Sequence, residues 1–282
     1  PYRRQRQMCI RDRLVMKVMV KDGCVTTREL TKAVAGALNR RMIPEKDTKT
    51  LIGKGVNLYT YEEEPRFQAI YGVARMVKDG AAVSGDNFSF LEPESGKMVM
   101  CLSDGMGSGS LACKESEMVI ELVEKFLEAG FDVETAARMM NSAMVMKGQE
   151  DLFSTVDISE LDLYDGTCRF YKIGAAATFI RRNGIVECLI STSLPVGVSY
   201  KLDMEKSEKD LYNGDFLVMV SDGVLEYLHV PNPEETMQEI IESIETNNAT
   251  ILAKRILERV LLFTGGKAAD DMTVLATAIW EK

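Results

Sequence analysis

The chain has 282 residues, 46% of them hydrophobic and 27% charged, with a formal net charge of −9. This composition supplies a buried core of useful size, and the acidic excess argues against non-specific attraction to nucleic acid or an anionic membrane. No run of 18 apolar residues and no signal-peptide pattern occurs, so no membrane contact is expected of this stretch.

The arginine-rich opening, "PYRRQRQMCIRDR", has no hydrophobic period, and its "MCIRDR" resembles a translated sequencing adapter. Residues 1–13 are therefore expected to be a non-native assembly scar, outside any fold. In 14–65, "TTRELTKAVAGALNRRM" places Leu30, Val34, Ala37, Leu38 and Met42 at helical spacing. Thr27 is the expected cap and Pro44 the expected stop. One helix and a linker with a short strand make a poor domain, so 14–65 reads as the end of a truncated regulatory region.

From Arg66 onward the pattern is regular. "RFQAIYGVARM", "GDNFSFLE" and the apolar run 98–102 read as strands. Residues 110–129 and 133–148 then form a helical hairpin, broken at Gly130 and capped by Asp132. "STVDISELDLY" and "TCRFYKIG" flank the turn dipeptide Asp165-Gly166. "AATFIRR" and "IVECLI" flank Asn183-Gly184, the favoured hairpin turn. "FLVMVSDG" at 216–223 repeats the design of 98–105. Helices starting near Pro233 and at 250–263 precede a closing strand, "MTVLATAIW". Many hairpins and two helical pairs predict an α+β fold, an antiparallel β-sandwich with helices packed outside it.

Four acidic positions recur at strand ends or turns. Asp86 follows Ser84-Gly85. Asp104 stands between Ser103 and the open loop Gly105, Gly107, Gly109. Asp222 lies between Ser221 and Gly223, and Asp270-Asp271 precedes the last strand. If those ends converge, the carboxylates raise one another's pKa until a cation neutralises them. With one histidine, His229, neither a Cys/His zinc site nor a Ser-His or Cys-His nucleophile is available. Oxygen ligands favour magnesium, manganese or calcium, and two such ions activate water for attack on phosphorus. His229 itself reads as a surface loop residue. The six cysteines form no C-x-x-C pair and read as reduced thiols of a cytosolic protein.

"SGDNF", "LSDGMGSG", "LPVGV", "VSDGV" and "DDMTVL", in this order over 66–282, resemble the metal-dependent protein phosphatases of type 2C, the PPM family. The resemblance implies a two-sheet sandwich between helix layers (αββα), two Mn²⁺ or Mg²⁺ ions, and hydrolysis of phosphoserine or phosphothreonine proteins. It implies metal-ligand roles for Asp86, Asp104, the Gly105 carbonyl, Asp222 and Asp270. The family's last motif usually reads Asp-Asn, so Asp271 stands as the alternate to Asp270. Gly107, Pro195 and Gly197 are the candidate substrate-contacting residues.

Two departures stand out. Many relatives carry a proton-donating His after Asp-Gly, where this chain has Met106. They also place a phosphate-binding Arg upstream, whereas Arg66 and Arg75 lie outside any matching motif. By resemblance to the sporulation branch of the family, the substrate is a phosphorylated anti-anti-sigma factor and the whole protein is membrane-anchored with this region on the cytoplasmic side. The helix near 27–42 would then couple self-association through 14–65 to the site. Two other readings stay open: a catalytically silent phosphoprotein-binding module of the same fold, and a nucleotide-binding, kinase-like regulator. "DGMGSG" lacks the Gly-Lys-Ser/Thr ending of a P-loop.

Overall fold

The computed structural model describes residues 13–282 except 21–22, 46–47, 95, 108, 147–152 and 264. The expected assembly scar therefore lies, but for Arg13, outside the described residues. The chain divides between Pro65 and Arg66 into two units.

The first unit contains β1 (Leu14–Val20), β2 (Val25–Thr26), α1 (Thr27–Leu38), β3 (Met42–Pro44), β4 (Leu51–Ile52) and β5 (Gly55–Glu63). Strands β1, β5 and β3 form one antiparallel sheet in that order, and β2 pairs with β4. Val34, Met42, Ile52, Tyr59 and Tyr61 make its small core. This region holds more sheet than its sequence predicts. The helix cap is Thr26, one residue before the expected Thr27. The Glu29 N–H donates to its hydroxyl at 3.2 Å, and the Thr26 N–H donates to the Glu29 carboxylate at 2.9 Å. Thr27 donates its hydroxyl to the Lys49 carbonyl instead. Asn39, at φ +52°, ends the helix, and Pro44 closes β3.

The second unit is a sandwich of two five-stranded antiparallel sheets. Its elements are β6 (Phe67–Met76), β7 (Asp86–Glu94), β8 (Lys97–Gly105), α2 (Ser110–Glu128), α3 (Val133–Met146), β9 (Ser154–Asp162), β10 (Thr167–Ile173), β11 (Thr178–Arg182), β12 (Ile185–Leu189), β13 (Glu205–Asp210), β14 (Phe216–Val220), α4 (Asp222–Glu226), α5 (Pro233–Glu242), α6 (Ala249–Phe263) and β15 (Met272–Glu281). One sheet runs β13-β10-β9-β8-β7, the other β12-β11-β14-β15-β6.

Strand alternation builds three apolar layers. Val99, Cys101, Val156 and Ile158 face outward against Val119, Val123, Ala136 and Met140 of α2 and α3. Met100, Leu102, Leu161 and Phe170 face inward, meeting Leu217, Met219, Leu275 and Ile279 of the other sheet. Val218, Val220, Val274 and Ala276 face Ile240, Leu252 and Ile256 of α5 and α6. Each large aliphatic side chain buried this way contributes about 1.5–3 kcal/mol. Strands buried on both faces read as continuous apolar runs, which is why 98–102 and 216–220 lack polar alternation. Asp132 caps α3 as expected, accepting from the Thr135 N–H at 2.8 Å. Among the described residues, no helix is long and apolar enough to cross a membrane.

The one strand of this unit that the sequence reading does not anticipate is β13, "EKSEKD". It lies at a sheet edge, largely exposed. Charged edges of this kind block further strand addition.

Candidate active site

At one end of the sandwich, both sheets deliver carboxylates to a single cleft of about 290 Å³. In the first sheet, Asp86 of β7 lies directly opposite Asp104 of β8 in the antiparallel ladder, and Asp104 lies opposite Thr155 of β9. Directly opposed residues have Cβ atoms about 5 Å apart, and like charges so placed repel. In the second sheet, β14 ends at Val220, and Asp222 opens α4. Asp270 and Asp271 precede β15. Asp104, Asp222, Asp270 and Asp271 all line the cleft, with Gly105, Gly107 and Pro195. Asp86 is fully buried beneath it.

Asp86 links the sheets. The Thr273 hydroxyl, from β15, donates to its Oδ2 at 2.6 Å, and the Thr273 N–H donates to Ser221 Oγ at 2.9 Å. The Arg75 guanidinium donates to the Asp86 carbonyl oxygen. Asp86 Oδ1 is buried and has no hydrogen-bond partner. Burial raises the Asp86 pKa to about 6, against the Thr273 and Ser221 hydroxyls, with the charges of Asp271 and Asp222 adding to the rise. Asp104 is pushed further, to about 11. Burial is the largest cause, followed by its hydrogen bond with Asp222 and the nearby Asp86 charge. Three carboxyls so close disfavour full ionisation of the cluster without a compensating charge.

The donor set is all oxygen, which suits a hard divalent cation. Among the described residues, no three Asp, Glu, His or Cys side chains enclose one ion by themselves. Magnesium-type sites do not require that, because one or two carboxylates per ion suffice and waters complete the shell. The unpartnered Asp86 Oδ1 and the crowding of the Asp86, Asp104 and Asp222 carboxyls are what such an ion relieves. The residues present therefore fit a hydrated divalent cation.

The adjacent pair 270–271 separates cleanly. Asp271 is buried, and both its oxygens accept backbone N–H groups, from Lys78 at 3.0 Å and Gly85 at 2.7 Å. Asp270 is half-exposed and lies 3.6 Å from Lys78 Nζ. Both line the cleft, but the Asp271 oxygens are engaged in bracing the Ser84-Gly85-Asp86 turn, and Asp270 is the more accessible of the two.

The glycines beside the aspartates are steric necessities. A Cβ on Gly105 would collide with the Ala112 carbonyl of α2, and one on Gly223 with the Asp271 carbonyl. Other sequence candidates lie elsewhere. Gly197 is outside the cleft lining, and its N–H donates to Asn141 at 3.0 Å. Arg66 pairs with Glu281 at 3.1 Å, at the far end of β6, roughly 30 Å from the cleft by strand rise. Arg75 is spent on the Asp86 carbonyl. His229 is exposed, as expected. Lys78, a cation in the cleft lining, is not legible in the sequence, because a lysine in a charged loop carries no local signal.

A family model described as stage II sporulation protein E matches residues 94–279. The chain belongs to the stage II sporulation protein E family. It is 36% identical over 209 residues to the stage II sporulation protein E of Bacillus subtilis, covering 74% of this chain and 25% of that one. It is 34% identical to the Priestia megaterium protein, covering 74% and 36%. The chain thus spans about a quarter to a third of these relatives. The phosphoserine phosphatase RsbX of Bacillus subtilis is 35% identical over 86 residues, 30% of this chain and 41% of RsbX.

Among solved structures, the PP2C phosphatase domain of Bacillus subtilis SpoIIE with a fragment of its regulatory domain superposes with a TM-score of 0.81. It is 29% identical over 95% of this chain and 78% of that one. The catalytic domain of the phosphatase PstP, in complex with two manganese ions, gives 0.58 at 17% identity, covering 76% and 100%. The fold is that of the PP2C phosphatases, the α+β sandwich expected from the sequence motifs.

Proposed function

We propose that this chain is a metal-dependent serine/threonine protein phosphatase that hydrolyses a phosphoserine protein. The observation that carries the reading is the meeting of Asp86 and Asp104 from one sheet with Asp222 and Asp270 from the other. Manganese in the PstP structure and the phosphoserine phosphatase name of RsbX support the cation and the reaction class. Asp86, Asp104, Asp222 and Asp270 would hold Mn²⁺ or Mg²⁺, with the Gly105 carbonyl. When bound, such ions supply Lewis-acid polarisation of the phosphoryl oxygens and of the attacking water.

The chain's own residues then set the geometry. Thr273 and Ser221 fix the Asp86 carboxyl, and Asp271 holds the turn that carries it. Lys78 brings a positive charge to the cleft, suited to a phosphoryl oxygen in place of the family's upstream arginine. Met106, at the mouth, has no proton to give, so protonation of the serine leaving group falls to water or is not needed. No protein nucleophile is needed.

Family membership extends the reading to a serine-phosphorylated anti-anti-sigma factor as substrate. Residues 14–65 are assigned to a regulatory region that self-associates, supported by the exposed Val15, Met19, Val56 and Leu58 on one face of its sheet.

The test is release of phosphate from p-nitrophenyl phosphate and from a phosphoserine protein during manganese titration. Release that saturates with Mn²⁺ and disappears with EDTA is expected. Binding of the phosphoprotein without hydrolysis at any Mn²⁺ concentration would favour the silent module.

A further inference from the structure

We infer that the loop 194–200 selects phosphoserine flanked by apolar residues, and that Asn141 of α3 is the residue that positions this loop. The inference deepens the phosphatase reading and rests on it. The floor of the cleft is acidic, but its wall is not. Met106, Phe153, Pro195 and Val198 line it, and Met106 and Val198 are 61% and 44% exposed. Apolar walls around a few convergent polar groups are the arrangement of ligand sites: the polar groups act on one moiety and the apolar area holds what surrounds it. A charged flank of either sign would lose water against Met106, Phe153, Pro195 and Val198 with no partner on that wall. An apolar flank gains by leaving water against Val198 and Met106.

The wall is held in place from two sides. The Val196 N–H donates to the Ser154 carbonyl at 2.9 Å, tying the loop to the start of β9. The Gly197 N–H donates to Asn141 Oδ1 at 3.0 Å, and Asn141 Nδ2 donates to the Ser199 carbonyl at 2.8 Å. Asn141 is 1% exposed. Both ends of its amide are committed to the backbone on either side of Val198. The two bonds also fix the amide orientation, since a flipped side chain would oppose donor to donor and acceptor to acceptor. A wall ordered before the substrate arrives loses less conformational freedom on binding.

The test uses two phosphoserine peptides that differ only in flanking residues, leucine and valine in one and glutamate in the other, assayed with saturating Mn²⁺. The intact protein is expected to prefer the apolar peptide in kcat/KM on the order of tenfold, the discrimination a small apolar pocket gives. Val198→Lys, on the exposed loop, is expected to abolish or reverse the preference. Asn141→Ala is expected to narrow it by raising KM for the apolar peptide. Asn141→Asp keeps the acceptor for Gly197 but sets a carboxylate oxygen against the Ser199 carbonyl, so it should narrow the preference at least as much as Asn141→Ala.

Equal kcat/KM for the two peptides in the intact protein, or a preference that survives Val198→Lys, would overturn the selectivity. A fall in kcat on both peptides alike in Asn141→Ala, with the preference intact, would overturn the positioning role. Absence of manganese-dependent release from both peptides and from p-nitrophenyl phosphate would instead remove the phosphatase reading itself.

Discussion

Asp104-Gly105 and Asp222-Gly223 share one local sequence, an apolar strand followed by Ser-Asp-Gly, one in each sheet of the sandwich. Both glycines admit a neighbouring backbone, that of α2 in one case and of the 270–271 segment in the other. The aspartates differ. Asp104 is half-buried in a ladder opposite Asp86, and burial and the neighbouring carboxyls push its pKa to about 11. Asp222 is exposed at the start of α4. The same Ser-Asp-Gly sequence thus places a carboxyl at the cleft twice, and the tertiary surroundings half-bury one and leave the other exposed.

The largest expected effect in this comparison is on activity. Asp104→Asn and Asp222→Asn should each lower manganese-dependent kcat on the order of 100-fold or more, with the double variant far from multiplicative because the carboxylates act as a unit. The two should part in stability. Without metal, Asp104→Asn relieves the crowded carboxyls and should raise Tm by about 2–4 °C per kcal/mol gained, while Asp222→Asn, which removes one charge from beside Asp104, should raise it less. Equal Tm shifts would dissolve the contrast.

Next come the glycines. Gly105→Ala and Gly223→Ala should each cost about 1–3 kcal/mol, read as a fall in the denaturant midpoint, because the added methyl meets backbone rather than a mobile side chain. A neutral alanine at either position would contradict the close approach described here.

The adjacent aspartates give a smaller but sharper split. Asp271→Asn leaves one of two buried backbone N–H groups, Lys78 or Gly85, facing an amide donor, and should cost about 1–3 kcal/mol. Asp270→Asn loses only a half-exposed ion pair with Lys78, worth less than about 1 kcal/mol, and should show its effect in Mn²⁺ affinity instead. Reversed results, stability lost at 270 and metal affinity at 271, would exchange the roles.

How far the sequence could be read follows from what its signals are made of. Asp86, Asp104, Asp222 and Asp270 stand out because apolar runs and glycines frame them, and those frames are the strand ends that meet at the cleft. The Asn183-Gly184 hairpin is visible for the same local reason. Strand β13 is hidden because an exposed charged edge has no apolar period to detect. The bracing role of Asp271 is hidden because its partners, Lys78 and Gly85, lie 193 and 186 residues away in the chain. Asn141 is hidden likewise: on α3 it occupies one more buried position, and only the distant loop shows what its amide does. The Thr26 cap is hard to place from sequence because two threonines stand side by side, and only the reciprocal bond with Glu29 chooses between them.

The most direct test of the central claim is anomalous diffraction from crystals of the full chain grown with Mn²⁺. The account predicts manganese peaks in the cleft, in contact with the carboxylates of Asp86 or Asp104 and of Asp222 or Asp270, with Asp271 still bound to the Lys78 and Gly85 backbone. Manganese-dependent phosphatase activity in the same preparation with no peak at these carboxylates would contradict it.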